Sequence, residues 1–268
     1  MRRPRTSARG TAPNGVAAGS PPRSCSACWT PLEFRLNVMT TMVPLRRHQL
    51  ARLSTSGWAA VLGRPWDAQA RDCLAHWASH RLPLVVTRQP ADAMADGWIA
   101  LGLPAPARWD RRRIALQVPH AAVHGLGEFP RLDDMQKLLP PPARGAVREL
   151  LGRLDASHAT PRVFGSFGWQ AISGLDHVRD DSDLDLSIPV DDAAHADAVV
   201  RALGSFEAER PRLDGELMFA DGAAVAWREW REWRAGRARA VMVKRLDGVC
   251  LQRDTAWCAH AEMTELSA

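Results

Sequence analysis

The sequence predicts an α/β (α+β) protein, with a small N-terminal α/β module followed by a C-terminal domain built on a mixed sheet. Three observations carry that expectation. Short β-rich runs alternate with stretches of helical apolar spacing along much of the chain. Pro140, Pro141 and Pro142 break the pattern near the middle. Beyond them, strictly alternating apolar/polar runs are interleaved with helical segments and with Asp-Gly turn signals.

Each segment has a reason. Residues 1–41 are rich in Arg, Pro, Gly and Ser and lack apolar periodicity. Such a stretch cannot bury enough surface to offset chain entropy, so a disordered basic extension is expected. Residues 42–145 are expected to form the N-terminal domain. RRHQLARLSTSGWAAVL (46–62) and WDAQARDCLAHWASH (66–80) read as helices, the second with Ala68, Cys73, Leu74 and Trp77 near one face. LPLVVT (82–87) and RRIALQVP (112–119) read as strands.

Residues 146–268 are expected to form the second domain. A helix after the prolines places Val147, Leu150, Leu151 and Leu154 at i, i+3, i+4 and i+7. RVF (162–164) is a strand running into Gly165-Ser166, and a short helix follows around Trp169 to Ile172. SDLDLSIPV alternates as a strand, and Asp191 and Asp192 are placed to cap the next helix. RLDGELMFADG and AAVAW read as a hairpin around Asp221-Gly222, and RAVMVKR and GVCLQ as another around Asp247-Gly248. Trp227, Trp230 and Trp233 stand at helical spacing, as packing residues rather than a base-stacking platform.

Composition narrows the function classes. The 268 residues are 46% hydrophobic, enough for a real core. No apolar run approaches the roughly 18–20 residues of a membrane span, and the basic start has no apolar signal core, so the cytoplasm is expected. The net charge of +5 favours polyanionic partners without choosing among them. No zinc-finger spacing or aromatic RNP segment is present, so nucleic acid is not an expected partner. Five cysteines, an odd count, argue against a disulfide framework, and Cys25 and Cys28 form a lone CxxC without the second pair that zinc needs.

The chemistry concentrates in Ser182-Asp183-Leu184-Asp185-Leu186-Ser187-Ile188. Successive strand side chains point to opposite faces. Asp183, Asp185 and Ser187 therefore share one face, and Leu184, Leu186 and Ile188 turn to the core. The two carboxylates stand roughly 6.6 Å apart along the strand. Unscreened, they repel. A pair of divalent cations about 3.5–4 Å apart would satisfy them and clamp the entering and leaving oxygens of a phosphoryl transfer. Magnesium suits hard carboxylate and phosphate oxygens.

Gly165-Ser166, at a strand-to-helix turn, offers backbone N–H groups to a phosphate. Asp214 and Glu216 share a face of the next strand, and either can be the third metal ligand. Lys244 is a candidate for neutralising a leaving pyrophosphate. Two other uses of DLDLS fit poorly. A haloacid-dehalogenase-type site follows a hydrophobic strand, whereas HVRDDS is polar. An EF-hand needs Gly at its sixth position, where Leu186 stands. A structural acidic strand remains the alternative, and the spacing goes no further than nucleotidyl transfer.

GSFGWQAISGLDHVRDDSDLDL (165–186) and RLDGELMFADGAAVAWREW (212–230) resemble the malonate decarboxylase holo-acyl-carrier-protein synthases. These are phosphoribosyl-dephospho-CoA transferases within the DNA polymerase β-like nucleotidyltransferase superfamily. The gap between Gly165-Ser166 and Asp183 is longer than that superfamily's usual pattern. The resemblance implies a nucleotidyltransferase fold for the C-terminal domain and catalytic roles for Asp183 and Asp185. It implies 2'-(5''-triphosphoribosyl)-3'-dephospho-CoA as donor, a serine of the apo acyl-carrier subunit of malonate decarboxylase as acceptor, and pyrophosphate as product. The alternatives are a nucleotidyltransferase with a small-molecule acceptor and a non-catalytic binding module of the same fold.

Overall fold

A computed structural model describes residues 45–90 and 96–258. The basic extension and the Cys25–Cys28 pair lie outside these residues. The first half contains β1 (Leu50–Leu53), α1 (Thr55–Leu62), α2 (Ala68–Ser79), β2 (Leu84–Val86), β3 (Trp98–Pro104), β4 (Arg113–Pro119) and β5 (Val123–Gly127). Its five strands form one sheet in the order β4-β3-β2-β1-β5, antiparallel throughout. Leu84, Ile99, Leu101 and Leu116 from the sheet pack with Cys73, Leu74 and Trp77 of α2 in one core.

The second half contains α3 (Ala143–Asp155), β6 (Arg162–Val163), α4 (Gly165–Ser173), β7 (Leu184–Val190), α5 (Ala193–Gly204), β8 (Leu213–Phe219), β9 (Ala224–Ala226), α6 (Trp227–Arg234), β10 (Val241–Lys244) and β11 (Val249–Gln252). Its sheet runs β11-β10-β9-β8-β7-β6. It is mixed, as expected: β7 and β8 are parallel, joined through α5, and the other pairs are antiparallel. Leu184, Leu186 and Ile188 are fully buried in a second core that also takes Val147, Leu150 and Leu154 of α3 and Val199 and Leu203 of α5. This core includes Leu132, Met135 and Leu139, which precede the prolines. Asp192 caps α5, accepting from the His195 N–H at 2.8 Å. Trp227 and Trp230 are buried packing residues. No helix among the described residues is long and apolar enough to cross a membrane.

The expected helix over 46–62 is helical only from Thr55 to Leu62, and Leu50–Leu53 is a strand. Leu50–Leu53 pairs on both sides, with β2 and with β5, and buries Leu50, Ala51 and Leu53. Those ladder bonds override a modest helical preference. The helix begins only after Ser54, whose hydroxyl accepts from the Gly57 N–H at 3.1 Å. Strands β3 and β5 were not foreseen. On α2 the buried face takes Ala70 where Ala68 was expected, and Ala68 is exposed.

Candidate active site

Strand β6 ends at Val163 and the chain turns at once into α4. The Phe164 N–H donates to the Asp185 carbonyl at 3.0 Å, tying the turn to β7. Gly165 has φ +61, a backbone state that disfavours side chains. A Cβ there would lie 2.9 Å from Asp185 Cγ and collide with Oδ2, so only glycine lets the turn meet the carboxylate. The first turn of α4 has no side-chain cap, which leaves its leading N–H groups free to meet an anion.

The rest of the 165–186 segment explains the long gap before Asp183. Trp169 leaves the second core and packs into the first, edge-on to Phe129 at 5.4 Å between ring centres. Gln170 Oε1 accepts from the His177 and Val178 N–H groups at 3.1 and 2.9 Å. Ser182 Oγ accepts from the Arg179 N–H at 2.8 Å. The extra residues thus form a docked helix and a pinned loop that deliver Asp183 to the start of β7.

Asp183, Asp185 and Asp214 are neighbours. Asp185 lies directly across from Asp214 in the parallel β7–β8 register. Arg212 donates to Asp183 through Nε at 3.0 Å and more closely through Nη2, and lies 4.0 Å from Asp214 Oδ2. That hydrogen-bonded guanidinium holds the Asp183 carboxyl below its ordinary range. Among the described residues Asp185 has no such partner. Burial, reinforced by Asp214 and Asp183, pushes its carboxyl up to about 7. Among the described residues no three His, Cys, Asp or Glu side chains form a ready metal cluster, and the Asp183 carboxylate is paired with Arg212.

Glu216 and Lys244 meet each other rather than the aspartates. Glu216 is buried, accepting from Lys244 Nζ at 2.8 Å and Arg47 Nη2 at 3.2 Å, with His48 Nε2 at 2.8 Å. Burial alone would raise its pKa, but His48, Arg47 and Lys244 overcome that and hold it far below the usual range. His48 has φ +61 and packs at a tilt against Phe164, 4.1 Å between ring centres. The first half of the chain therefore reaches the site through Arg47 and His48. Neither was singled out from sequence, since both sit in a stretch read as a helix. Arg212 was also missed, although it stands two residues before Asp214 and so on the same face.

The profile of the phosphoribosyl-dephospho-CoA transferase MdcG N-terminal domain matches residues 46–129, and that of the MdcG C-terminal domain matches residues 131–255. A phosphoribosyl-dephospho-CoA transferase of Bradyrhizobium diazoefficiens is 36% identical over 209 residues, 78% of this chain and 90% of that one. Another, from Xanthomonas campestris pv. campestris strain 8004, is 37% identical over 188 residues, 70% of this chain and 86% of that one. No solved structure matches.

Proposed function

The chain belongs to the phosphoribosyl-dephospho-CoA transferase family and is a transferase, and we propose that it loads the acyl-carrier subunit of malonate decarboxylase with its prosthetic group. The donor is 2'-(5''-triphosphoribosyl)-3'-dephospho-CoA. A serine hydroxyl of the apo carrier attacks the α-phosphorus. The new serine O–P bond replaces the bond to pyrophosphate, which departs, and the hydroxyl proton passes to the carboxylate cluster. The reaction runs in the cytoplasm. The observation that carries this reading is the Asp183–Asp185–Asp214 cluster lying beside the uncapped start of α4 at Gly165.

The reading calls for a divalent cation at these carboxylates, for which the described residues do not pre-form a three-ligand group. Burial and the neighbouring Asp214 and Asp183 carboxylates push Asp185 up to about 7, and a bound cation would relieve that repulsion. Asp183, Asp185 and Asp214 would hold the ion, with Arg212 moving from Asp183 to the donor phosphates. Magnesium, when bound, supplies charge that polarises the reacting phosphoryl group. The chain's own groups do the remaining work. Gly165 and Ser166 present backbone N–H groups to a phosphate, and Gly165 keeps Asp185 within reach of it. Glu216 positions Lys244 and Arg47 two residues along β8 from Asp214, where their charge faces the same sheet surface.

The test is mass spectrometry of the apo carrier subunit after incubation with the chain, the donor and magnesium. The reading predicts one added phosphoribosyl-dephospho-CoA per carrier and one pyrophosphate per adduct, both abolished by exhaustive chelation. Pyrophosphate release without carrier modification would point to a small-molecule acceptor. Neither product, with donor still bound, would point to a binding module.

A further inference from the structure

The sheet face that carries the aspartates continues past them into a cavity that the proposed chemistry does not use. On β7, Ser187 and Pro189 follow Asp185 on the same face, at about 7 and 13 Å along the strand. On β8, Met218 follows Asp214 and Glu216 in the same way. There the surface opens into a cavity of about 240 Å³. Its walls include Arg46, Arg47 and Arg162, and apolar surface comes from Phe129, Met218 and Phe219. Glu128 and Asp191 also line it, so three guanidiniums face two carboxylates. Arg162 is paired with Glu128 and Arg47 with Glu216. The exposed Arg46 guanidinium has no side-chain partner among the described residues.

We propose that this cavity seats the diphosphate–pantetheine arm of the dephospho-CoA moiety while the triphosphoribosyl end lies over the aspartates. The inference rests on the donor assigned above and names the surface that recognises its remote end. Three properties select that occupant. The cavity is continuous with the carboxylate site along one sheet face, as an elongated donor requires. Its volume is below that of a site enclosing a whole drug-sized ligand, so it fits one arm. It combines a free guanidinium, suited to a diphosphate, with apolar surface, suited to the branched alkyl part of pantetheine. Arg46 and Arg47 come from the first half of the chain, whose contribution to the reaction is then donor recognition.

The experiment measures binding of dephospho-CoA itself to the full chain by calorimetry, with AMP as the probe that lacks the pantetheine arm. Arg46→Ala removes the free charge at an exposed position, and Met218→Trp fills the cavity from a half-buried one. Arg46→Ala is expected to weaken dephospho-CoA by about tenfold, the size of one lost charge-assisted contact, and Met218→Trp to weaken it by at least as much by occupying the space of the arm. AMP binding should be unaffected by Met218→Trp. In steady state the loss should fall in the donor KM rather than in kcat, because the contact is remote from the reacting phosphorus. Unchanged dephospho-CoA affinity in both variants overturns the proposal, as does a loss of carrier affinity in its place. The two readings separate cleanly. Carrier modification with dephospho-CoA affinity indifferent to both variants sinks the cavity assignment alone. Dephospho-CoA binding through the cavity with no carrier modification sinks the proposed acceptor alone.

Discussion

Replacing Gly165 by alanine should lower both stability and catalysis. The added methyl carbon would lie 2.9 Å from Asp185 Cγ and 3.2 Å from its Cβ, and would collide with Oδ2. The carboxylate must therefore retreat by roughly 1 Å or swing to another rotamer, and a misplacement of that size costs on the order of 10²-fold in rate. The φ of +61 adds about 1–2 kcal/mol of backbone strain for a residue with a Cβ. Gly165→Ala is thus expected to unfold at lower denaturant by about 1–3 kcal/mol and to lose about 10²-fold in transfer. Guanidinium melts and single-turnover pyrophosphate release measure the two quantities. A variant that transfers within threefold of wild type would refute the argument that close approach of the turn positions Asp185.

Glu216→Gln leaves the half-buried Arg47 and Lys244 beside a neutral group, and is expected to destabilise the fold by about 2–4 kcal/mol. Because the folded Glu216 pKa is depressed, its contribution is complete above its ordinary 4.5 and fades as pH falls below that. A loss under 1 kcal/mol at pH 7 in urea melts would show that the cluster is not a clamp. His177 gives a second pH signature. Burial, helped by Arg111, depresses it from 6.5 to about 4. Stability is therefore unaffected above pH 6.5 and falls as pH drops toward 4, by up to about 3 kcal/mol. His177→Phe, which keeps a ring beside Trp169, should flatten that slope, and an unchanged slope would assign it to other groups.

The second half of the chain was legible because its strands bury one face and leave the other to solvent. Leu184, Leu186 and Ile188 against Asp183, Asp185 and Ser187 encode both strand and orientation in six residues. The first half was harder to read. Leu50–Leu53 lies between two other strands and is buried at nearly every position, so no alternation marks it. Its apolar spacing then matches a helix as well as a strand. The long-range contacts of the site were hidden for a different reason. Arg47 and His48 meet Glu216 across 169 and 168 residues, and no local pattern records such a pairing. Trp169 and Gln170 were visible as part of a signature, but their work, docking α4 and pinning the loop before Asp183, emerges only from the packing.

The central claim is that the Asp183 and Asp185 carboxylates act on the phosphoryl group rather than hold the fold. The direct measurement is single-turnover transfer to the carrier by Asp183→Asn and Asp185→Asn, beside thermal melts with and without magnesium. Asn is nearly isosteric, so the buried Leu184, Leu186 and Ile188 face is untouched. Asp185→Asn removes a charge that burial and two neighbouring carboxylates disfavour, and should melt no lower than wild type. Asp183→Asn gives up a partly exposed pair with Arg212, a change within about 1 kcal/mol. Both variants should transfer at least 10²-fold more slowly and should lose any stabilisation that magnesium gives the wild type. Near wild-type transfer by either variant would contradict the account.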